Sequence, residues 1–532
     1  MKERSWPAWL ALTVGVAVAS YSVIVQNPPE VEPADAYPTV FSAARAIKYV
    51  DMIAREPHPT GSEAIGRVRQ SLVDALKSLG LKAEIQTPAD PSQPERNILA
   101  RLKGAGPTDR KAVLLCAHYD SVKWGPGAGD NASGVAVIHE SLRALKAGPP
   151  LDRDVIVLLD DGEEVGLDGA KRFVAEHPWA KDVGVVLNID ARGNHGPSIM
   201  FETSDQNGWL IRQFAEATPH PVATSMSMDI YRIMPNDTDL SVFKRAGMDG
   251  LNYAFSRGLN YYHSPEDTPA NLDLKTLQHH GENVLAMARK LGGLDLSQVR
   301  AEDEVYFSFL NRGVVHYPAR LTVPFGYGLL GVFVVTVVVG LIMGRVKLAD
   351  LLAGVVIWFV AVVLSVFGVG AYWLVLRDMM SSVGVQSLPF DLAILTAGAV
   401  IATIITLGLE RLAARNRSIE ALGLGALFWW VALALTTAYL LPGTSYLFTW
   451  PALFALLGLN SLMMMRRGSG LAREAVLVGC LPALVLLPPL IREAFEGLSL
   501  QLVGPLMILV VLFLGAILPL LAPLVVPPKH PD

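Results

Sequence analysis

A chain of 532 residues with 52% hydrophobic residues and a mean hydropathy of +0.38 is too long and too apolar to be one ordinary soluble domain. Its net charge of −5, and the lack of a basic stripe with interleaved aromatic residues, exclude nucleic acid as an expected partner. The two cysteines, Cys116 and Cys480, fall in a predicted buried strand and a predicted membrane helix, so a disulfide framework is not expected.

The N-terminal segment, residues 1–34, contains an apolar run at 6–25. This run is long enough to cross a bilayer and is predicted to be a retained membrane anchor. Small residues at 17–20 leave a cleaved signal peptide as the alternative. In both cases the following domain lies outside the cytoplasm, beyond an acidic, proline-containing linker.

Residues 35–300 have the charge and turn content of a soluble α/β domain. Short apolar runs alternate with helical patterns, and the central runs are too continuously apolar for a sheet with one solvated face. The predicted strands are 82–86, 97–102, 112–117, 155–159 and 183–189, and the predicted helices are 40–54, 63–79, 135–145 and about 273–291. Asp130 and Asn131 are placed to cap the third helix. An α/β sandwich is therefore expected.

Residues 324–532, after a linker at 301–323, form a second, all-α part of the chain. This part is a succession of apolar segments of about 20 residues, the length that spans a hydrocarbon core. About seven membrane helices are predicted, near 326–343, 352–375, 389–409, 420–441, 446–465, 474–491 and 503–526. The lipid bilayer is thus an expected partner of this integral membrane protein.

Basic residues are concentrated in every second loop of the predicted membrane region. One side holds Lys2, Arg4, Arg345, Lys347, Arg411, Arg415, Arg417, Arg466, Arg467, Arg473 and Lys529. The short loops of the other side offer only Arg377 and Arg492. By the positive-inside rule, both termini are cytoplasmic and residues 30–320 are extracytoplasmic. The short N-terminus favours a bacterial inner membrane facing the periplasm over an organellar membrane with a lumenal domain.

Histidines and carboxylates follow several predicted strands of the α/β domain. His118 ends one strand, and Asp130 follows a Gly/Pro-rich loop. A later strand runs into the acidic sequence 160–164, the next ends at Asp190, and His263 lies before the last helix. In isolation such an acidic cluster is typical of a solvated loop, but ligands of open α/β sheets bind at the carboxyl ends of strands. Two histidines and several carboxylates there suit zinc, and the carboxylate count suits two ions that share a bridging ligand.

These residues resemble the signature of the co-catalytic di-zinc aminopeptidases, and within that group the membrane branch of endoplasmic-reticulum metallopeptidases and vacuolar membrane proteases. The motifs are His118-Tyr119-Asp120, the sequence from Gly129 to Gly134, Glu163-Glu164-Val165-Gly166, Asn188-Ile189-Asp190 and Tyr262-His263-Ser264. The resemblance covers about residues 40–295. It implies a zinc-exopeptidase-like three-layer α/β/α domain with a mixed central sheet, beside the all-α transmembrane domain.

The resemblance also implies roles for individual residues. His118 and Asp190 would hold one zinc ion, Glu164 and His263 the other, and Asp130 would bridge the two. Related membrane proteins often carry glutamate where this chain has Asp190, and both side chains can ligate zinc.

The non-ligating Glu163 would be the general base that takes a proton from the metal-bound water. Glu163 and Glu164 exchange these roles if the register of the loop differs. Asp120 would orient the His118 imidazole, while Arg192 and Tyr262 are candidates for contact with substrate.

The leading interpretation is a membrane-anchored zinc aminopeptidase that removes N-terminal residues from peptides outside the cytoplasm. A carboxypeptidase, a dipeptidase or a glutaminyl cyclase on the same fold is the enzymatic alternative. A binding module without metal is the non-enzymatic alternative, although such a module has no need of Glu163 beside Glu164.

Overall fold

The computed structural model describes residues 6–90, 92–107, 110–382, 391–465, 470–497 and 502–525. The chain forms two compact units. One unit is Gln26–Ala319, and the other combines Met1–Val25 with Arg320–Asp532. Lys2, Arg4, Arg466, Arg467 and Lys529, which contribute to the predicted topology, lie outside the described residues, as does the side chain of Arg473.

A helix near the N-terminus, α1 (Trp6–Ile24), belongs to the second unit. The first unit contains nine helices and nine strands in its described part. In chain order they are α2 (Ala43–Ile53), α3 (Glu63–Ser78), β1 (Glu84–Gln86), β2 (Asn97–Leu102), β3 (Ala112–His118), α4 (Ser133–Ala147), β4 (Val155–Asp160), α5 (Glu163–Gly166), α6 (Asp168–Glu176), β5 (Val183–Ile189), β6 (Ile199–Thr203), α7 (Gly208–Ala217), α8 (Ser225–Ile233), α9 (Asp239–Arg245), β7 (Asp249–Ala254), α10 (Leu274–Gly292), β8 (Glu304–Phe309) and β9 (Gly313–Pro318).

Seven of these strands form one mixed sheet in the order β1-β2-β4-β3-β5-β7-β6. The inner strands β4, β3, β5 and β7 are parallel, whereas β1, β2 and β6 pair antiparallel. Because the inner strands are parallel, β3, β4 and β5 all end at one edge of the sheet. That edge is where ligands bind in folds of this kind.

Helices cover both faces of the sheet, which confirms the three-layer α/β/α architecture. Alternate residues of β3 separate the two cores, with Val113, Leu115 and Ala117 in the larger core and Leu114 and Cys116 in the smaller. The larger core also takes side chains from α2, α3, α4, α7 and α10, and the smaller core from α6 and α9. Burial on both faces explains why β3 is apolar throughout.

Strands β8 and β9 pair as a two-stranded hairpin, with Glu304 opposite Pro318. They occupy residues that were expected to form the linker at 301–323, so this expectation is corrected. The compact unit that contains the sheet therefore extends to Ala319.

The second unit is helical, as predicted. Besides α1 it contains α11 (Thr322–Ile342), α12 (Leu348–Ser382), α13 (Asp391–Ala413), α14 (Ile419–Leu440), α15 (Tyr446–Met464), α16 (Gly470–Gly497), α17 (Val503–Ala516) and α18 (Ala522–Val525). Six helices of the described chain are long and apolar enough to cross a membrane, from α11 to α16. The chain is thus a membrane protein.

The last predicted span, 503–526, is not one continuous helix. Helix α17 ends at Ala516 after 14 residues, and turns separate it from the short α18. At about 1.5 Å per residue, α17 is about 21 Å long, less than the roughly 30 Å of a hydrocarbon core. Pro519 lies in this interruption, and proline cannot donate a helical hydrogen bond.

Helix α1 packs against α16 within this unit. The hydroxyl of Ser22 donates to the carbonyl oxygen of Leu484 at 3.1 Å, and it also lies 2.8 Å from the carbonyl oxygen of Ala19 in its own helix. A hydroxyl in an apolar environment needs such partners, because an unsatisfied one is costly there.

Candidate metal centre

Three neighbouring strands deliver polar side chains to one edge of the sheet. His118 is the last residue of β3, Asp160 is the last residue of β4, and Asp190 follows β5 directly. Strand β3 lies between β4 and β5, with His118 opposite Asp160. The backbone N–H of Asp190 donates to the carbonyl of Tyr253 in β7. This hydrogen bond holds the backbone of Asp190 at the edge of the sheet.

Asp130 lies between the two histidines. Its Oδ1 atom is 3.1 Å from Nε2 of His118, and its Oδ2 atom is 3.1 Å from Nε2 of His263. The expected helix cap by Asp130 is therefore wrong, since its carboxylate turns toward the histidines. The neighbouring Asn131 does accept a hydrogen bond from the backbone N–H of Gly134, and the peptide bond between Asp130 and Asn131 is cis.

Each histidine has a second carboxylate beside it. His118 Nε2 is 3.7 Å from Asp190 Oδ1, and His263 Nε2 is 3.0 Å from Glu164 Oε2. Ligand atoms of a tetrahedral zinc ion, each about 2.0–2.2 Å from the metal, lie about 3.3 Å from one another. The residues thus form two three-ligand groups that share Asp130, and each group has its ligand atoms within 4.8 Å of one another.

The site concentrates negative charge in a buried place. Burial, with the nearby charge of Asp130, raises the pKa of Glu164 to about 7, and burial raises the pKa of Glu163 well above its usual value. Burial alone would lower the pKa of His263, but its contacts with Asp130 and Glu164 raise it to about 10. The Oε1 atom of Glu164 is buried with no hydrogen-bond partner in the described chain. Cations suit such a site, because they compensate the crowded carboxylates and the unsatisfied oxygen.

Asp120 connects the first histidine to the acidic turn. Its Oδ1 atom lies 3.5 Å from Nδ1 of His118, and its carboxylate accepts the backbone N–H groups of Glu163 and Glu164 at 3.3 Å. Thr60 adds a hydrogen bond to the same carboxylate at 3.2 Å. Asp120 therefore contacts both His118 and the turn that carries Glu163.

The loop with His263 has a left-handed backbone, with a φ of 54° at that histidine. Non-glycine residues rarely adopt this conformation, and where they do it is commonly at a functional site. The indole Nε1 of Trp124 donates to the carbonyl oxygen of His263 at 2.8 Å. The Tyr262 ring stacks on the imidazole, with a centroid distance of 3.8 Å and an interplanar angle of 19°. These contacts stabilise the turn.

Residues 97–288 match the model of peptidase family M28, and this range includes all five candidate metal ligands. The chain carries a peptidase family M28 domain. Endoplasmic reticulum metallopeptidase 1 of Rattus norvegicus is 33% identical over 235 residues, which are 42% of this chain and 26% of that protein. The vacuolar membrane protease of Candida albicans strain SC5314 is 33% identical over 267 residues, 48% of this chain and 31% of that protein. The chain thus matches about a quarter to a third of the length of these relatives.

Among solved structures, a zinc aminopeptidase from Bacillus subtilis is similar over 50% of this chain and 100% of its own, with 16% identity and a TM-score of 0.41. Glutaminyl cyclase of Porphyromonas gingivalis is similar over 47% of this chain and 99% of its own, with 20% identity and a TM-score of 0.39.

The M28 domain brings together every residue that the sequence analysis assigned to metal binding. It also places Glu163 beside Glu164 on the turn held by Asp120, and Tyr262 on His263. The Arg192 guanidinium carbon lies 6.0 Å from the centre of the Tyr262 ring. Their roles stay predictions.

One residue of the site was missed by the sequence analysis. The buried carboxylate of Asp267 accepts the backbone N–H of Gly129 at 2.7 Å and that of Asp130 at 3.1 Å. Burial raises the pKa of Asp267 to about 7. Its position four residues after His263 is the sequence signal that could have identified it.

A second acidic group lies behind the M28 metal centre. Asp160, Asp239 and Cys116 are fully or almost fully buried, with Cys116 Sγ 3.5 Å from Asp160 Oδ1. Burial raises the pKa of Asp160 to about 6 and that of Asp239 well above its usual value. Because of this burial, the neutral form of these carboxyl groups is favoured more than it is in exposed ones.

Proposed function

We propose that the M28 domain is a di-zinc peptidase that removes N-terminal residues from peptides outside the cytoplasm. The observation that carries the proposal is the position of Asp130, which directs one carboxylate oxygen toward His118 and the other toward His263. In this proposal His118 and Asp190 would hold one zinc ion, Glu164 and His263 would hold the other, and Asp130 would supply a ligand to both.

Bound zinc ions would lower the pKa of a water molecule and polarise the carbonyl group of the scissile bond. Glu163 is not a member of either group of ligands. It is the first residue of α5 and directly precedes Glu164. Its carboxylate is close enough to Asp130, Asp190 and Glu164 for their charges to raise its pKa further, after the larger effect of burial. We assign Glu163 as the general base that accepts the proton of the attacking water and donates it to the leaving amine.

The remaining contacts of the site serve orientation. The carboxylate of Asp120 contacts both the His118 imidazole and the backbone N–H of Glu163. The proposed base and one proposed metal ligand are therefore positioned by the same side chain. Carboxylate groups also attract the ammonium group of a free peptide N-terminus. This supports an exopeptidase that requires a free N-terminal amine.

We further propose that residues 26–319 lie outside the cytoplasm and that the helices of the second unit anchor them. The distribution of Arg345, Lys347, Arg411, Arg415 and Arg417 against Arg377 and Arg492 supports this orientation. A bacterial inner membrane, with the catalytic domain in the periplasm, is the preferred location.

Elemental analysis of the full-length protein in detergent micelles tests the metal centre. We expect about two zinc ions per chain for the wild type and a sharp loss in Asp130→Asn. The matched control is Asp205→Asn, because Asp205 is exposed and pairs with Arg232 away from the ligands. If the folded wild type takes up no zinc, the peptidase proposal is wrong and a binding module without metal replaces it.

A substrate panel then tests the reaction. Cleavage of aminoacyl anilides, and no cleavage of peptides with a blocked N-terminus, is the expected result. Release of C-terminal residues from blocked peptides would replace the proposal with a carboxypeptidase. Cyclisation of glutaminyl peptides, together with a single tightly bound zinc ion, would replace it with a glutaminyl cyclase.

A further inference from the structure

Arg192 differs from three other shielded arginines of the first unit. Arg45, Arg101 and Arg172 have side chains that are 14%, 10% and 9% exposed, and each forms an ion pair with a carboxylate. Arg192 is also partly buried, yet within the described chain its guanidinium forms neither an ion pair nor a hydrogen bond. A partly buried cation without a counter-ion is costly unless another group supplies the negative charge.

The backbone holds Arg192 at the rim of the metal centre. Its N–H donates to the carbonyl of Phe255 at 2.8 Å, which continues the pairing of Asp190 with Tyr253 along the end of the sheet. Its guanidinium then lies 6.0 Å from the centre of the Tyr262 ring, within the range of a cation–π contact. The same ring stacks on His263, so Arg192 is two side chains away from a candidate metal ligand.

The carboxylates of Asp130, Asp190, Glu164 and Glu163 form no ion pair with Arg192 within the described part of the chain. In the proposed peptidase, zinc compensates these carboxylates. The charge of Arg192 then remains available to bind an anionic group of the substrate. A guanidinium can bind a carboxylate through two parallel hydrogen bonds.

We propose that Arg192 is a specificity residue that binds a carboxylate on the residue after the scissile bond. This inference rests on the proposed peptidase function and names its substrate class, short peptides with an anionic group at that position. Two sources share this chemistry: the α-carboxylate of a dipeptide, and the side chain of an aspartate or glutamate within a longer peptide. A site that binds both an amine and a carboxylate in this way recognises the two ends of a dipeptide.

The test uses full-length, zinc-loaded protein in detergent and two pairs of substrates. Ala-Ala is compared with Ala-Ala amide for the α-carboxylate, and Ala-Asp amide is compared with Ala-Asn amide for the side chain. We expect kcat/KM of the wild type to favour the anionic member of at least one pair by about 10-fold to 100-fold, as is typical of a hydrogen-bonded charge pair. The pair that shows the preference identifies the source.

The variants Arg192→Ala and Arg192→Lys test whether Arg192 causes the preference. The ratio within each substrate pair is the readout, because a general loss of activity cancels in it. We expect Arg192→Ala to reduce the ratio to near one and Arg192→Lys to leave an intermediate ratio, since lysine keeps the charge but not the planar fork. Arg67→Ala, a change in an arginine that is 61% exposed on α3, is the control and should keep the wild-type ratio.

A wild-type ratio near one, or an unchanged ratio in Arg192→Ala, overturns this inference alone and leaves the peptidase in place. Failure of every substrate in zinc-loaded wild type overturns the peptidase function. Calorimetric titration of Ala-Ala into Glu163→Gln, with and without Arg192→Ala, gives a readout without turnover. The same titration is made with Ala-Asp amide. Binding of either ligand that weakens at least 10-fold on loss of Arg192 supports carboxylate recognition, and equal binding of both ligands contradicts it.

Discussion

The carboxylate of Asp267 accepts the backbone N–H of Asp130 at 3.1 Å. The two residues are 137 positions apart in the chain, and Asp267 is in the same loop as His263. One candidate metal ligand is therefore positioned by the loop that supplies another. The hydrogen bond from Gly129 to the same carboxylate reinforces this connection.

Replacing Asp267 should weaken metal binding without removing a ligand. We expect Asp267→Asn to lower the affinity for zinc by about 10-fold to 100-fold, because asparagine replaces one of the two accepting oxygens by an NH2 donor that faces a backbone N–H. The measurement is competition for zinc against a chelator of known affinity. Glu266→Gln is the matched control, since Glu266 is the exposed neighbour in the same loop. Equal affinities in the two variants would contradict a positioning role.

Replacing Glu163 should separate the chemical step from metal binding. We expect Glu163→Gln to keep the zinc content of the wild type, because this residue is outside both groups of ligands. Its kcat on a cleaved anilide should fall by about 100-fold to 10,000-fold, the usual contribution of a general base. Loss of zinc in this variant, with zinc retained in Glu164→Gln, would show that the two residues have exchanged roles.

The pH dependence of stability should include a contribution from His139. This residue is buried in α4 against the ring of Tyr49, and burial lowers its pKa to about 4. The unfolded chain, with a histidine pKa of about 6.5, binds more protons than the folded chain between these values. The free energy of unfolding therefore falls as the pH is lowered from about 6.5 toward 4, by about 2 kcal/mol at pH 5 from this one residue.

The variant His139→Phe isolates this contribution. Urea unfolding at pH 7.5 and at pH 5, followed by tryptophan fluorescence, gives the difference in unfolding free energy between wild type and variant. We expect that difference to shift by about 2 kcal/mol in favour of the variant at pH 5. A difference that is the same at both pH values would mean that His139 does not titrate on unfolding.

The proposed orientation of the membrane unit can be checked with reporter fusions. Alkaline phosphatase fused after residue 443, in the turn between α14 and α15, should be active because that turn is expected outside. The same enzyme fused after residue 416, among the arginines that precede α14, should be inactive. The reverse pattern would invert the topology and place the M28 domain in the cytoplasm.

The spatial grouping of the candidate ligands was largely predictable, because several of them lie at strand ends in the sequence. His118, Glu164 and Asp190 each follow a strand of continuous apolar residues, and such a pattern identifies the edge where they meet. Asp267 was not predictable in this way. Its partners are backbone N–H groups, which carry no residue-specific signal in the sequence.

The elements that the sequence did not predict differ in their local signals. Strand β7 has the sequence Asp-Gly-Leu-Asn-Tyr-Ala, in which three residues are poor strand formers, and it is a strand because it pairs with β5 and β6. The hairpin of β8 and β9 falls in the range expected to be a linker, although its valine and aromatic residues favour strands. The end of α17 at Ala516 was not predicted, because the segment 503–526 is predominantly apolar, and Pro519 is the local signal against one continuous helix.

The pairing of α1 with α16 has a consequence for biosynthesis. Ser22 and Leu484 are 462 positions apart, so at about 5–20 residues per second the ribosome needs about 25–90 s to make the partner of the first helix. During this interval the Ser22 hydroxyl has only the carbonyl of Ala19 in its own helix as a partner. Residues 26–319 are synthesised in the meantime. The M28 domain can thus fold before the helical unit is fully assembled.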